Sequence, residues 1–183
     1  MALTPVLQVH ETQHFLMTPS KSCISRNNSS CCVLFLALLG LLFSTGCAPR
    51  HAPPRPAAPG SLAHSVVQTA RSQVGIPYKR AGISPHTGFD CSGLVNWVYA
   101  QHGFSLPRTS AGIFGQGMTV PVQDLRAGDL VFFRIGKQNR IHVGIATGQG
   151  TFIHSPKPGQ RVREENLFAA YWAQRKIGVR RVL

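Results

Sequence analysis

Carboxylates are scarce in this chain. It carries 6 Asp and Glu against 19 Lys and Arg, with charged residues only 14% of the whole. The net charge of +13 therefore comes from missing acids rather than from added bases. Such a balance favours anionic surroundings: lipid headgroups, nucleic acid or acidic polymers. No basic run interleaved with aromatics and no nucleic-acid motif is present, so nucleic acid is not an expected partner. No internal repeat is visible either. The chain also lacks an apolar run long enough to span a bilayer, which takes about 20 residues. Cys31 to Phe43, CCVLFLALLGLLF, falls short of that.

That run suits the h-region of an export signal, with Lys21 and Arg26 as its charged n-region. Met1 to Ser20 is long for the start of such a signal, and Met17 is a candidate start. A buried core helix is the alternative, but nothing in the run alternates with polar residues. FSTGC, Phe43 to Cys47, resembles a bacterial lipobox, in which a cysteine preceded by small residues is lipidated and becomes N-terminal. Thr45 and Gly46 fit that pattern, whereas Ser44 departs from the usual aliphatic residue. Several acyl chains on Cys47 would anchor the protein stably where one would not. By resemblance to lipoprotein sorting rules, the non-acidic Ala48 directs it to the outer membrane, facing the periplasm. The competing reading is ordinary cleavage and a free secreted product.

Cysteine is nearly absent beyond this point. The five are Cys23, Cys31, Cys32, Cys47 and Cys91, so the mature domain keeps Cys91 alone, as a free thiol. That excludes a disulfide scaffold and a cysteine-cluster zinc site, and it flags a reactive thiol. The expected organisation is an export signal over 1–47, a Pro/Ala-rich tether over 48–60 and one domain over 61–183.

The spacing of apolar residues predicts a helix over 61–74, capped by Ser61 and stopped at Gly75, and a second over 91–103, ended by Gly103. A short third helix is expected over 108–116, weakened by Gly112 and Gly115. Strands follow at 130–135, 141–147 and 151–155, the last two joined by the GQG loop, with a fourth at 160–163. A helix over 166–174 and a strand over 177–182 close the chain. Helices first and strands afterwards, without alternation, argue for an α+β fold with an antiparallel sheet.

Cys91 sits in FDCSGLV, between a good helix N-cap, Asp90, and a helical run. At a first helical turn a thiol feels the positive end of the helix dipole, so its pKa is expected to fall. The first-turn amides have no helical partners and are available to a developing oxyanion. Ser92 is small and polar, and Gly93 lets another element approach. A thiolate nucleophile needs a base. With the hairpin centred on Gly148, His142 in IHVGIAT faces His154 directly across the ladder, on one side of the sheet. His142 can then take the thiol proton while His154 fixes its tautomer. A one-residue slip in register would separate them. A lone cysteine is more often filler and a lone strand histidine more often structural, and two histidines without a carboxylate make a poor zinc site. The joint pattern overrides these readings. His10, His14, His51, His64, His86 and His102 have no comparable setting.

Six blocks carry a resemblance: GIPYKRAG (75–82), GFDCSGLV (88–95), LPRTS (106–110), LRAGDLVFF (125–133), HVGIA (142–146) and FIHS (152–155). In this order the region from about 61 to 183 resembles the NlpC-type family of bacterial cell-wall cysteine peptidases. The resemblance implies a papain-like α+β unit with the cysteine heading a helix packed on a sheet that carries the histidines. It implies Cys91 as nucleophile, His142 as general base and then acid, and His154 as the orienting third residue. Tyr78 matches a tyrosine that binds substrate and polarises the carbonyl; simple aromatic packing is its alternative. Asp90 and Ser92 match positions that contact a substrate amino group in some members, and helix capping is an equal contender for Asp90. Ala81 and Ile113 depart from the glycine and glutamine common in relatives, which bears on the groove and not on the three chemical roles. The implied activity is hydrolysis of peptidoglycan stem or cross-link peptides by a monomer that needs no cofactor or metal. The rivals are a catalytically silent envelope-binding module and an amidase or acyltransferase of the same architecture.

Overall fold

The computed structural model describes residues 56–183. The lipobox-like Cys47, the export signal and most of the tether lie outside the described residues. Helix α1 spans Leu62–Arg71, and the Ser61 hydroxyl caps it by accepting the His64 amide at 3.2 Å. Its buried stripe is Val66, Val67 and Ala70. The short strands β1 (Ile83–Ser84) and β2 (Gly88–Phe89) pair as a small hairpin. Helix α2 spans Cys91–Ala100 with Asp90 as its N-cap, and buries Leu94, Val95, Val98 and Tyr99. Thr109 caps the five-residue α3 (Ser110–Phe114).

The main sheet has six strands, all antiparallel, in the order β3–β8–β4–β5–β6–β7. Its members are β3 (Met118–Thr119), β4 (Leu130–Ile135), β5 (Arg140–Ala146), β6 (Thr151–His154), β7 (Arg163–Asn166) and β8 (Lys176–Arg181). The short helix α4 (Ala170–Ala173) connects β7 to β8. The α+β antiparallel expectation holds. The expected fourth strand is shifted, because residues 160–163 first run beside the Tyr78 loop. There the Tyr78 amide donates to the Gln160 carbonyl and the Val162 amide to Ile76. The expected helix over 166–174 shrinks to one turn, since Asn166 is still in the sheet.

Strand alternation divides the core in two. On the α1–α2 side lie Leu130, Phe132, Val143, Ile145 and Ile153 with Phe89, Leu94, Val98 and Tyr99. On the other side Val131, Phe133, Ala146, Phe152 and Leu167 pack around Trp172. Tyr99 bridges core and loop: its buried hydroxyl donates to the carbonyl of Gly128, the turn glycine before β4. The β5–β6 hairpin is centred on Gln149 rather than Gly148, with Ile145 opposite Ile153 and Ala146 opposite Phe152. His154 therefore falls opposite Gly144, diagonal to His142. A shift of two residues in the pairing keeps both histidines on one face, where a shift of one would have parted them.

Candidate active site

Asp90 places Cys91. Its carboxylate accepts the Gly93 amide at 2.6 Å, which fixes the start of α2. The Asp90 amide in turn donates to the Gly82 carbonyl at 3.1 Å. A Cβ on Gly93 would fall onto that carbonyl, so only glycine admits the β1 loop here. Ala81, in the same loop, holds a left-handed φ of 57°. Such a backbone costs an L-residue about 1–2 kcal/mol, and glycine would relieve it. Cys91 is half-buried, with its Sγ 3.4 Å from the Ser110 hydroxyl at the head of α3 and the Val143 amide directed at the sulfur.

The thiol does not behave as its helix position alone predicts. Burial pushes its pKa up, and the neighbouring Asp90 charge adds to that, against the hydrogen bonds from Ser110, Val143 and Ser92. Desolvation outweighs these hydrogen bonds, and the free protein holds a neutral thiol at pH 7.

The two histidines are buried, and His142 Nε2 lies 2.8 Å from His154 Nδ1 with the rings edge to face. Phe133, Phe152 and Trp172 wall them in. Gly144 makes room: a Cβ there would sit 2.6 Å from the Phe152 ring and 3.2 Å from His154 Cβ. The imidazoles thus occupy the sheet face away from α2. The β5–β6 ladder stops short of His142, and the Val143 amide is directed at the sulfur of Cys91. Cys91 and His142 both line one open cleft, together with Tyr78, Asp90, Ser92 and Arg108.

Two residues that sequence reasoning left without a role complete the arrangement. Glu165 on β7 places a carboxylate oxygen 3.6 Å from His154 Nε2, at ion-pair range and longer than an ordinary hydrogen bond. His154, Trp172 Nε1 and the Arg163 guanidinium hold its pKa down at about 2, so it is ionised at pH 7. An ionised carboxylate only accepts protons in hydrogen bonds. With its proton on Nε2, facing that carboxylate, neutral His154 accepts at Nδ1 and His142 Nε2 is the donor between them. His142 Nδ1 is left with a bare lone pair. Burial first, and then His154, hold the His142 pKa well below 6.5, so this basic form persists at neutral pH. The second residue is Arg108. Its guanidinium grips Asp90 at 2.7 Å and the Ser92 hydroxyl at 2.9 Å. The only sequence signal for it was its place in the LPRTS block; Glu165 lies outside every block and has none.

A thiol at a helix head, sharing a cleft with one of a pair of histidines on an antiparallel sheet, defines a papain-like α+β protein. The sequence profile of the NlpC/P60 family matches residues 75–181, and the chain belongs to that family. Over 115 residues it is 42% identical to the murein DD-endopeptidase MepH of Escherichia coli, covering 61% of this chain and 42% of that protein. It is 37% identical over 121 residues to the gamma-D-glutamyl-L-lysine dipeptidyl-peptidase of Bacillus subtilis, covering 65% of this chain and 40% of the relative. The crystal structure of an NlpC/P60 family protein from Bacillus cereus superposes with a TM-score of 0.62 at 33% identity, covering 73% of this chain and 42% of that one. The chain thus spans less than half the length of the relatives described.

Proposed function

We propose that this protein is a peptidoglycan endopeptidase that cuts stem or cross-link peptides through a cysteine thiolate. The observation that carries the reading is the 2.8 Å His142–His154 contact behind a cleft that Cys91 also lines. His142 Nδ1 takes the thiol proton as the sulfur attacks the peptide carbonyl carbon, so charge separation occurs during attack and not before it. The carbonyl oxygen becomes an oxyanion, received by the Cys91 amide at the head of α2 and by the Tyr78 hydroxyl. Burial raises the pKa of that hydroxyl, which keeps it a proton donor at neutral pH. His142 then protonates the leaving amine, the C–N bond breaks and a thioester remains. Water, deprotonated by the same imidazole, releases the acid and restores the thiol. His154 orients His142, and Glu165 orients His154. No step needs a metal or cofactor. Asp90 and Ser92 frame the cleft beside the sulfur, tied together by Arg108. Digestion of purified peptidoglycan tests the reading. Cys91→Ala should abolish release of new peptide ends while its circular dichroism stays unchanged, and an active Cys91→Ala protein would refute it.

The organisation proposed around this domain is an export signal over 1–47, a tether over 48–60 and a lipid anchor at Cys47 that holds a monomer on the outer membrane, facing the periplasm. The lipobox-like FSTGC supports this reading. Cys47→Ser should move the protein from the membrane fraction to the soluble one; unchanged membrane association would refute the anchor.

A further inference from the structure

The cleft is about 1200 Å³, above the roughly 300–1,000 Å³ typical of small-molecule sites, and so has room for an extended chain. Its charged lining is lopsided. Two carboxylates, Asp90 and Glu165, face it, and each is already paired with an arginine, Arg108 and Arg163 respectively. Those arginines already offset their charge. Three other cations, Arg80, Arg140 and Lys157, line the same cleft from three separate segments. They are exposed, and among the described residues none has an acidic side chain within ion-pair range. Arg80 and Arg140 lie close enough to the Tyr78 hydroxyl for their charges to act on it, so they flank the reacting centre.

The shortage of acids explains why these cations stay unpaired. Of the five described carboxylates, Asp90, Asp129, Glu164 and Glu165 are engaged by Arg108, Arg181, Arg71 and Arg163. Asp124 alone is in no salt bridge, and it lies away from the cleft lining. A partly desolvated cleft with unpaired cations lowers the free energy of a ligand that brings its own carboxylates.

We propose that the cleft selects anionic peptides: Arg80, Arg140 and Lys157 recognise free carboxylates on the residues flanking the scissile bond, so stems whose carboxyls are amidated are poorer ligands. This rests on the endopeptidase reading for the chemistry but concerns binding alone. The test therefore uses Cys91→Ala protein and titration calorimetry, with two synthetic stem peptides differing only in free carboxylates against carboxamides. The free acid should bind about three- to tenfold more tightly at low salt, as expected for one or two ion pairs at a partly exposed site. That preference should shrink at 0.5 M NaCl and in the Arg140→Gln and Lys157→Gln versions of the same protein. Equal affinities, tighter binding of the amide, or binding of neither peptide would overturn the proposal. Wild-type hydrolysis of the same pair separates the two claims: a preference in binding without turnover would leave this inference standing and refute the enzymatic reading.

Discussion

At the scale of single residues, local burial decides the chemistry. A thiol at a helix head next to an N-cap promises a lowered pKa, yet desolvation raises that of Cys91, and His142 is pushed the other way. The resting pair is neutral on both sides, a state that position in sequence cannot announce. Its polarity is set by Glu165, acting through His154. Glu165→Gln tests that assignment, because the amide offers an N–H where the carboxylate could only accept. The variant should lose activity at least about tenfold, by analogy with the large losses that follow a wrong catalytic tautomer. Nitrogen chemical shifts of His142 should show the proton moving from Nε2 to Nδ1. An unchanged tautomer would reduce Glu165 to a packing role.

Among elements, the hairpin carries most of the information. The alternation in IHVGIAT and TFIHS was enough to put both histidines on one face, since that depends only on parity. Their true relation is diagonal, because the hairpin turns about Gln149 instead of Gly148. Loop conformation sets that choice, and three residues of GQG do not encode it uniquely. Two helix starts were legible because caps are local: Ser61 and Asp90 each accept an amide three residues on. The third starts at Ser110 rather than at 108, where Thr109 caps it in the same way. The β3–β8 pairing was not, since β3 is two residues held by contacts with a strand over 50 positions away (118 to 176). Arg108 was readable only as part of a block, because its partners Asp90 and Ser92 lie 18 and 16 residues earlier. Gly144 is where element geometry meets the site. Gly144→Ala should cost about 1–3 kcal/mol in chemical denaturation, as overpacking does, and should displace His154 with a matching fall in activity. A variant with full stability would show that the hairpin can open without loss.

For the molecule as a whole, buried imidazoles and a low-pKa carboxylate link folding to pH. Burial lowers the pKa of both His142 and His154 from 6.5. Below about pH 6.5 the unfolded chain therefore takes up protons that the folded one refuses, and stability falls with falling pH. Glu165 acts in the same direction lower down: its pKa drops from 4.5 to about 2 on folding, so its contribution is lost as pH falls from 4.5 towards 2. Thermal unfolding should give a plateau above about pH 7 and a steady decline through pH 5 and 4. A midpoint that is flat or rises on acidification would contradict the placement of these groups.

The account stands on a thiol and an imidazole working together in one cleft, and trapping the covalent intermediate measures that most directly. Rapid-quench mass spectrometry of wild-type protein mixed with a stem peptide should reveal an acyl group on the tryptic fragment containing Cys91. It should be absent from Cys91→Ala and should form far more slowly in His142→Ala. Peptide cleavage that proceeds at full rate in Cys91→Ala, with no acylated cysteine at any time, would contradict it.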